Sequence, residues 1–344
     1  MRVLFVSADS YYDRDASVFN STKSAENLVF VNYCLAQKIR EAGGKIDAYS
    51  GTVAEHYDII IFNDYPHPGS NKEKLLKEAI RKKQSKIVLF LMETPVVRSD
   101  YDKIYLDAVL DQFDILYTWN NDLVKKPNGK KIHFTSNISN LNITGVRKQD
   151  VVCIAANKLF KHKNECYSYR RKIIEKISAS KLSFNLYGKS WDRIKYPSNG
   201  YKKVLNKLFS YGPRIDTSHL SWRGPIAEKA QALLSHNFSL VIENAHGYSG
   251  YITEKILHSL VYGCIPIYYG AKEANEEFRD SGSIFIDDFN NIREMLEFVE
   301  SQKEHQIIER QNQISDFIQS KGFQKYDAEH QAMELYSDLR ELMS

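Results

Sequence analysis

The stretch from 238 to 269 constrains the fold more than any other part of this 344-residue chain. Phe238-Ser-Leu-Val-Ile-Glu243 is apolar and β-branched with no breaker, so it reads as a buried strand that ends at Glu243. Asn244, Gly247, Ser249 and Gly250 supply a loose turn. From Ile252 onward apolar residues recur at Ile256, Leu257, Leu260 and Val261, the stripe of a core-facing helix. Gly263 closes that helix at its C-terminal end. Ile265-Pro-Ile-Tyr-Tyr269 is the next strand, and Pro266 is tolerable there only near the start. The unit is strand, loop, helix, strand.

The same alternation runs through the rest of the chain. Strands are expected at 2–7, 45–49, 58–62, 86–92, 115–119 and 131–135, with helical periodicity at 29–41, 72–82 and 105–112. After a polar link over 137–150 it restarts, with strands at 151–155, 184–187, 238–242, 265–269 and 283–286 and helices near 168–178, 226–235, 252–262 and 290–302. Alternation of this kind argues for parallel, doubly wound α/β sheets. The expected organisation is an N-terminal Rossmann-like domain over 1–150, a C-terminal Rossmann-like domain over 151–302, and amphipathic helices over 303–344 that either pack back on the first domain or lie on a membrane surface. The segment 197–221 fits neither period and reads as a loop with a short helix at 204–209.

Apolar content of 43% and charged content of 26% belong to a globular protein. A net charge of +4 is too small and too spread out to argue for nucleic acid. Basic clusters at Arg81-Lys-Lys83, Lys125-Lys126 with Lys130-Lys131, Lys158 to Lys163 and Arg170-Arg171-Lys172 suit solvated faces, or contact with anionic lipid or phosphate. Four cysteines, Cys34, Cys153, Cys166 and Cys264, lack metal-ligand spacing and are too few for a disulfide framework. No apolar run approaches a membrane span, and the N-terminal apolar run is too brief for a signal peptide. The expected location is therefore cytoplasmic, with any membrane contact peripheral. No Gly-x-Gly-x-x-Gly or phosphate-loop lysine occurs, which counts against a dinucleotide oxidoreductase or a nucleotide triphosphatase.

Glu254 and Lys255 stand where the loop turns into the helix. In open α/β sheets, loops beyond the carboxyl ends of strands and the free N–H groups that open a helix bind ligands, and anions above all. A lysine in the first helical turn opposes the helix dipole unless something negative lies nearby. A bound phosphate would remove that conflict; a solvated Glu254–Lys255 pair is the plain alternative.

Here a resemblance enters. Tyr251-Ile-Thr-Glu-Lys-Ile256, with Glu243-Asn244 before it and Gly263-Cys-Ile-Pro-Ile-Tyr-Tyr-Gly270 and Phe285-Ile-Asp-Asp-Phe289 after it, resembles the signature block of the bacterial α1,3/α1,4-fucosyltransferases of glycosyltransferase family ten. Ser221-Trp-Arg-Gly-Pro225 with Lys229, the residues 157–171, Leu186-Tyr-Gly-Lys-Ser-Trp191, and Met92-Glu-Thr-Pro95 are weaker likenesses. The resemblance implies a glycosyltransferase B architecture of two Rossmann-like domains facing a cleft. It implies an inverting transfer of fucose from GDP-fucose to a hydroxyl of an oligosaccharide acceptor, such as that of a lipopolysaccharide or capsule. It also implies that Lys255 and Arg223 neutralise the donor diphosphate, and that Glu254, Tyr251 and Asn244 hold the nucleoside sugar and the transferred sugar. Arg170 is a further phosphate candidate, or a helix-surface residue.

Such a displacement needs a base for the acceptor hydroxyl, and Glu93, at the end of a first-domain strand, suits it. The alternative for Glu93 is a cap on the turn before Thr94-Pro95, with Asp64 and Asp9 as the reserve bases. Fixed positive charge from Lys255, Arg223 and the helix N-terminus would meet the departing diphosphate, so no cofactor and no metal are required. Asp100-Tyr-Asp102 has the spacing of a manganese motif but sits in a polar loop, and Asp287-Asp288 reads as structural. The acceptor, the linkage and the oligomeric state leave no signal. A transferase of the same fold using another nucleotide sugar, and a catalytically silent nucleotide- or glycan-binding module, are the competing readings.

Overall fold

The computed structural model describes residues 1–22, 26–53, 55–105, 107–138, 145–193, 217 and 220–344. The loop expected over 197–221 lies outside them apart from 217, 220 and 221. Two compact units are present, Met1–Ile138 with Gln324–Ser344, and Ser139–Phe323. This division differs from the expected boundaries at 150 and 303.

Among the described residues the first unit carries six parallel strands, β1 (Arg2–Ser7), β2 (Lys45–Ala48), β3 (Ile59–Asn63), β4 (Lys86–Leu91), β5 (Ile115–Thr118) and β6 (Gly129–Lys131), in the order β2-β1-β3-β4-β5-β6. Alternate residues of each strand feed opposite faces. Val3, Phe5, Ile59, Ile61, Val88 and Phe90 meet the helices Phe30–Glu41 and Ala328–Glu341 on one face. Leu4, Val6, Ile60, Phe62, Leu89 and Leu91 meet Leu76 and Ala79 of the helix Asn71–Lys82 on the other. The sheet therefore has no wet face, which is why its strands are nearly continuous apolar runs.

Two details depart from the periodicity. The strand expected at 131–135 lies at Gly129–Lys131 and 132–135 is irregular; a Cβ on Gly129 would lie 2.5 Å from the Leu123 carbonyl oxygen. In place of the helix expected at 105–112 stands a 3-10 turn over Ala108–Gln112, capped by the Asp107 carboxylate, which accepts the Val109 N–H at 2.8 Å; residue 106 lies outside the described residues.

The C-terminal helices divide between the units. Ala328–Glu341 buries Ala328, Ala332, Leu335 and Leu339 in the first core, and Asp338 accepts the Tyr117 hydroxyl at 2.7 Å. Glu304–Gln319 stays with the second unit, where Arg310 donates to the Gly282 carbonyl at 2.9 Å and Gln311 to that of Gly145 at 3.2 Å.

In the second unit β7 (Gln149–Ile154), β8 (Phe184–Tyr187), β9 (His236–Ile242), β10 (Ile265–Tyr269) and β11 (Ile284–Phe285) are all parallel, in the order β11-β10-β9-β7-β8. Strand order reverses between β7 and β9, the position where open sheets of this kind bind ligands. Pro266 is tolerated because β11 pairs with β10 only from Ile267 onward. Gly263, at φ 61°, ends the helix Glu254–Val261 as the sequence implied. Among the described residues no helix is long and apolar enough to cross a membrane.

Candidate functional site

The site grows from the carboxyl end of β9. All seven residues of β9 are buried, and the Glu243 amide donates to the Tyr269 carbonyl at 2.9 Å, extending the pairing by one step. The Glu243 side chain is 0% exposed, a costly position for a carboxylate unless it is paired and hydrogen-bonded. It is both. Oε1 accepts the Thr253 amide at 2.8 Å, and Oε2 accepts the Thr253 hydroxyl at 2.7 Å and Lys255 Nζ at 2.8 Å. Gly270, at the end of the neighbouring β10, makes room for this: a Cβ there would stand 2.5 Å from Glu243 Cγ.

Lys255 thus meets its negative partner inside the protein. The conflict between a first-turn lysine and the helix dipole is relieved by Glu243, and no bound phosphate is needed for that purpose. Nζ also donates to Thr253 Oγ1 at 2.9 Å, which leaves one of its three N–H bonds without a partner among the described residues. Burial pulls the lysine's pKa down, but Glu243 and then Glu254 outweigh it, and the net shift is upward. For Glu254, burial pushes up while Lys255, His258 and Lys229 pull down, and the net shift is downward. Both groups are held in their charged forms.

Above them opens a cavity of about 240 Å³, walled by the ends of β7 and β9 and by the first turns of the helices Glu254–Val261 and Lys229–Ser235. Among the described residues, Lys158, Arg170, Lys229 and Lys255 line it against a single carboxylate, Glu254, so it is suited to an anion. It is smaller than the roughly 300–1,000 Å³ of a site enclosing a drug-sized ligand, and matches a diphosphate or one sugar ring better than a whole nucleotide sugar.

The residues expected at the site divide. Lys255, Glu254, Asn244 and Arg170 all line the cavity. Arg170 is buried, not on a helix surface, and its Nη2 donates to the carbonyls of Ile242 at 2.6 Å and Glu243 at 2.9 Å and to Asn244 Oδ1 at 3.3 Å. Its guanidinium is largely occupied in holding the strand end. Arg223 lies outside the lining; it is exposed, and its Nε donates to Asn185 Oδ1 at 2.7 Å beside β8. Tyr251 is buried in the loop and also lies outside the lining. Glu93 belongs to the first unit and follows β4, with its amide donating to Asp64 Oδ1 at 2.9 Å. Asp9 caps the turn Ser10–Tyr12. Asp100 is paired with Arg98, and Asp288 with Arg279 at 2.7 Å. Among the described residues no three His, Cys, Asp or Glu side chains are grouped to hold a metal ion.

Sequence reasoning missed Glu243 as a site residue and treated it as the end of a strand. The available signal was a lone carboxylate closing a wholly apolar strand, matched by a glycine closing the adjacent one. Lys158, read in the sequence only as part of a basic cluster over 158–163, also lines the cavity. The loop that carries it is tied to the signature loop by Cys166 N–H to the Asn244 carbonyl at 3.1 Å and His246 N–H to the Asn164 carbonyl at 2.9 Å.

The family described as glycosyltransferase family 10 (fucosyltransferase) C-term matches residues 146–310. The chain is 32% identical over 74 residues to an α-(1,3)-fucosyltransferase of Helicobacter pylori, a match covering 22% of this chain and 15% of that protein. It is 29% identical over 119 residues to α-(1,3)-fucosyltransferase B of Drosophila melanogaster, covering 34% of this chain and 23% of that one. The matches therefore span less than a quarter of either relative. Among solved structures, an α1,3-fucosyltransferase superposes with a TM-score of 0.55 at 13% identity over 98% of this chain and 90% of that one. A DNA-modifying β-glucosyltransferase gives 0.53 at 14% over 98% and 100%, and a UDP-forming trehalose-phosphate synthase of Burkholderia vietnamiensis gives 0.59 at 9% over 98% and 97%. At such identities the likeness speaks for the fold, which is of the glycosyltransferase B class. The block from Glu243 to Gly270 falls inside residues 146–310, the part of this chain that matches the family 10 (fucosyltransferase) C-terminal domain.

Proposed function

We propose that the protein is an inverting glycosyltransferase that moves fucose from GDP-fucose to a hydroxyl of a cell-surface oligosaccharide, forming an α1,3 linkage. The observation that carries this reading is the cavity at the β7/β9 switch point, where Lys158, Arg170, Lys229 and Lys255 surround one carboxylate within the family-matched residues. The names of the two curated relatives support the sugar and the linkage. Solved α1,3-fucosyltransferases bearing GDP and GDP-fucose, each at a TM-score of 0.52, support the donor.

In this reading the acceptor oxygen attacks the anomeric carbon, and the bond from that carbon to the diphosphate breaks. Its electron pair leaves on the GDP, and the acceptor proton passes to the Glu93 carboxylate. The cavity's cations and the N–H groups opening the helix Glu254–Val261 stabilise the charge that gathers on the leaving diphosphate. Glu254 and Asn244 are the acceptors for sugar hydroxyls. The scheme invokes no cofactor and no metal, because fixed cations could offset the diphosphate charge. The roles of Arg223 and Tyr251 rest on the resemblance alone.

Incubation of the full chain with GDP-fucose tests the reading, with calorimetric titration by GDP, UDP and dTDP alongside. Release of GDP, and binding of GDP in preference to the other two, is the expected result. Preference for UDP or dTDP would move the donor to another nucleotide sugar, and GDP binding without turnover would mark a silent module.

A further inference from the structure

The backbone of Met92 and Glu93 is held in an unusual way. Asp64 Oδ1 accepts the amide N–H of Met92 at 2.8 Å and of Glu93 at 2.9 Å. Trp119 Nε1 donates to the Met92 carbonyl at 2.7 Å, and the Tyr105 hydroxyl to the Glu93 carbonyl at 2.7 Å. All four peptide groups at the end of β4 are therefore bound by side chains from three other segments, where a strand end would ordinarily give them to water or to a turn. Asp64 is itself fixed. It sits at φ 65°, a region that aspartate tolerates better than most residues but that still costs free energy. Its amide donates to the Phe90 carbonyl at 2.8 Å, and the Tyr101 hydroxyl donates to Oδ1 at 3.3 Å. Tyr101 is 0% exposed and lies under the Arg98 guanidinium, 4.3 Å from its ring centroid; Arg98 Nη1 in turn donates to the Tyr101 oxygen at 3.1 Å. A strained residue braced on several sides at a strand's carboxyl end points to function more than to stability.

We propose that Asp64 is a positioning residue for Glu93: by holding both amides through one oxygen it fixes the direction in which the Glu93 side chain leaves β4. The inference rests on the reading of Glu93 as the base. Rigid support of this kind matters because a misplacement of about 1 Å costs on the order of 100-fold in rate. It also gives Asp64, a reserve candidate for the base, a different task. Burial pushes the Asp64 carboxyl above the usual aspartate range, outweighing the two amides and Arg98, so ionisation there is costly in the folded protein.

The test uses hydrolysis of GDP-fucose by the full chain, in which water replaces the acceptor and gives its proton to Glu93. Asp64→Gly takes the same φ without strain but loses the carboxylate. Asp64→Asn keeps an accepting oxygen and the tolerance of that φ. Expected for Asp64→Gly is a kcat about 100-fold lower, with KM and the calorimetric Kd for GDP within about twofold, since a positioning group acts on the barrier and not on donor binding. Faster amide exchange at Met92 and Glu93, with Val88 and Leu89 still protected, should accompany it. Asp64→Asn should recover most of the loss, and Tyr105→Phe should lower kcat by a smaller step with KM unchanged. Wild-type turnover in Asp64→Gly, or equal losses in the Gly and Asn variants, overturns the inference. Glu93→Gln separates the two levels. If it still hydrolyses GDP-fucose the base assignment fails and the inference falls with it, whereas an inactive Glu93→Gln beside an active Asp64→Gly sinks the positioning role alone. A wild-type chain that binds GDP but leaves GDP-fucose intact is the silent module, and the inference falls with the reading it rests on.

Discussion

Lys255 is paired with Glu243 inside the protein and, in the proposed reading, also meets the donor diphosphate; variants of the Glu243–Lys255 pair separate the two. The ammonium lies 2.8 Å from a carboxylate, for which Coulomb's law at an effective dielectric of 20 gives about 6 kcal/mol of gross attraction. Most of that is offset by desolvation. The two ends are unequal, with the Glu243 side chain 0% exposed and that of Lys255 26% exposed. Lys255→Met strands a charge that has no route to water, and removal of one partner of a buried pair costs about 3–5 kcal/mol. Glu243→Gln leaves a lysine that can turn toward solvent, so its cost should be smaller, about 1–2 kcal/mol. Combining the two removes both charges and should return stability to within about 1 kcal/mol of wild type, since a neutral pair of similar volume is commonly no worse than an ion pair. At about 2–4 °C per kcal/mol for a unit of this size, the single lysine variant should melt roughly 6–20 °C lower. Turnover follows a different order. Both Lys255 variants lose the cation at the diphosphate and should fall by about 10²–10³ in kcat; the double variant should stay inactive although its stability is restored. Chemical denaturation with GDP-fucose turnover on the four proteins is the assay. A Lys255→Met variant as stable as wild type would refute the structural half of the argument, and renewed turnover in the double variant would refute the catalytic half.

Three further outcomes follow from the same geometry. Gly270→Ala places a methyl 2.5 Å from Glu243 Cγ and from the Tyr268 hydroxyl, so it should cost about 1–3 kcal/mol in denaturation and weaken GDP binding by displacing Glu243. Glu254, with its pKa lowered on folding, contributes stability that is present above the usual glutamate range and is lost as pH falls through the lowered value. Glu254→Gln should therefore flatten the acid limb of a stability–pH curve, and an unchanged limb would contradict the assignment. Arg170→Lys keeps the charge but lacks the length and the planar guanidinium that reach the Ile242 and Glu243 carbonyls and lie over the Tyr167 ring, so melting should show a loss of about 1–3 kcal/mol.

Much of the fold was legible because parallel sheets buried on both faces write themselves as apolar runs. The strands at 2–7, 184–187 and 265–269 have the bounds that periodicity assigned. It failed where a local contact overrode it. The strand expected at 131–135 shifts to Gly129–Lys131, against the Leu123 carbonyl, and a 3-10 turn capped by Asp107 stands where a helix was expected. At the site, the spacing of Glu254, Lys255 and Asn244 along a loop and one helical turn sufficed to bring them to one cavity.

Local chemistry along the chain thus determined which segments are strands, that the sheets are parallel, and that the loop after β9 opens a helix at Glu254. What only the tertiary structure decided is the partner each charge takes. Lys255 reaches back twelve residues to Glu243, Arg170 crosses to the end of β9, and Asp64 binds the amides beside Glu93. Secondary structure follows from patterns a few residues long, whereas the pairing of buried charges depends on which strand ends become neighbours, and that is fixed only when the sheets assemble.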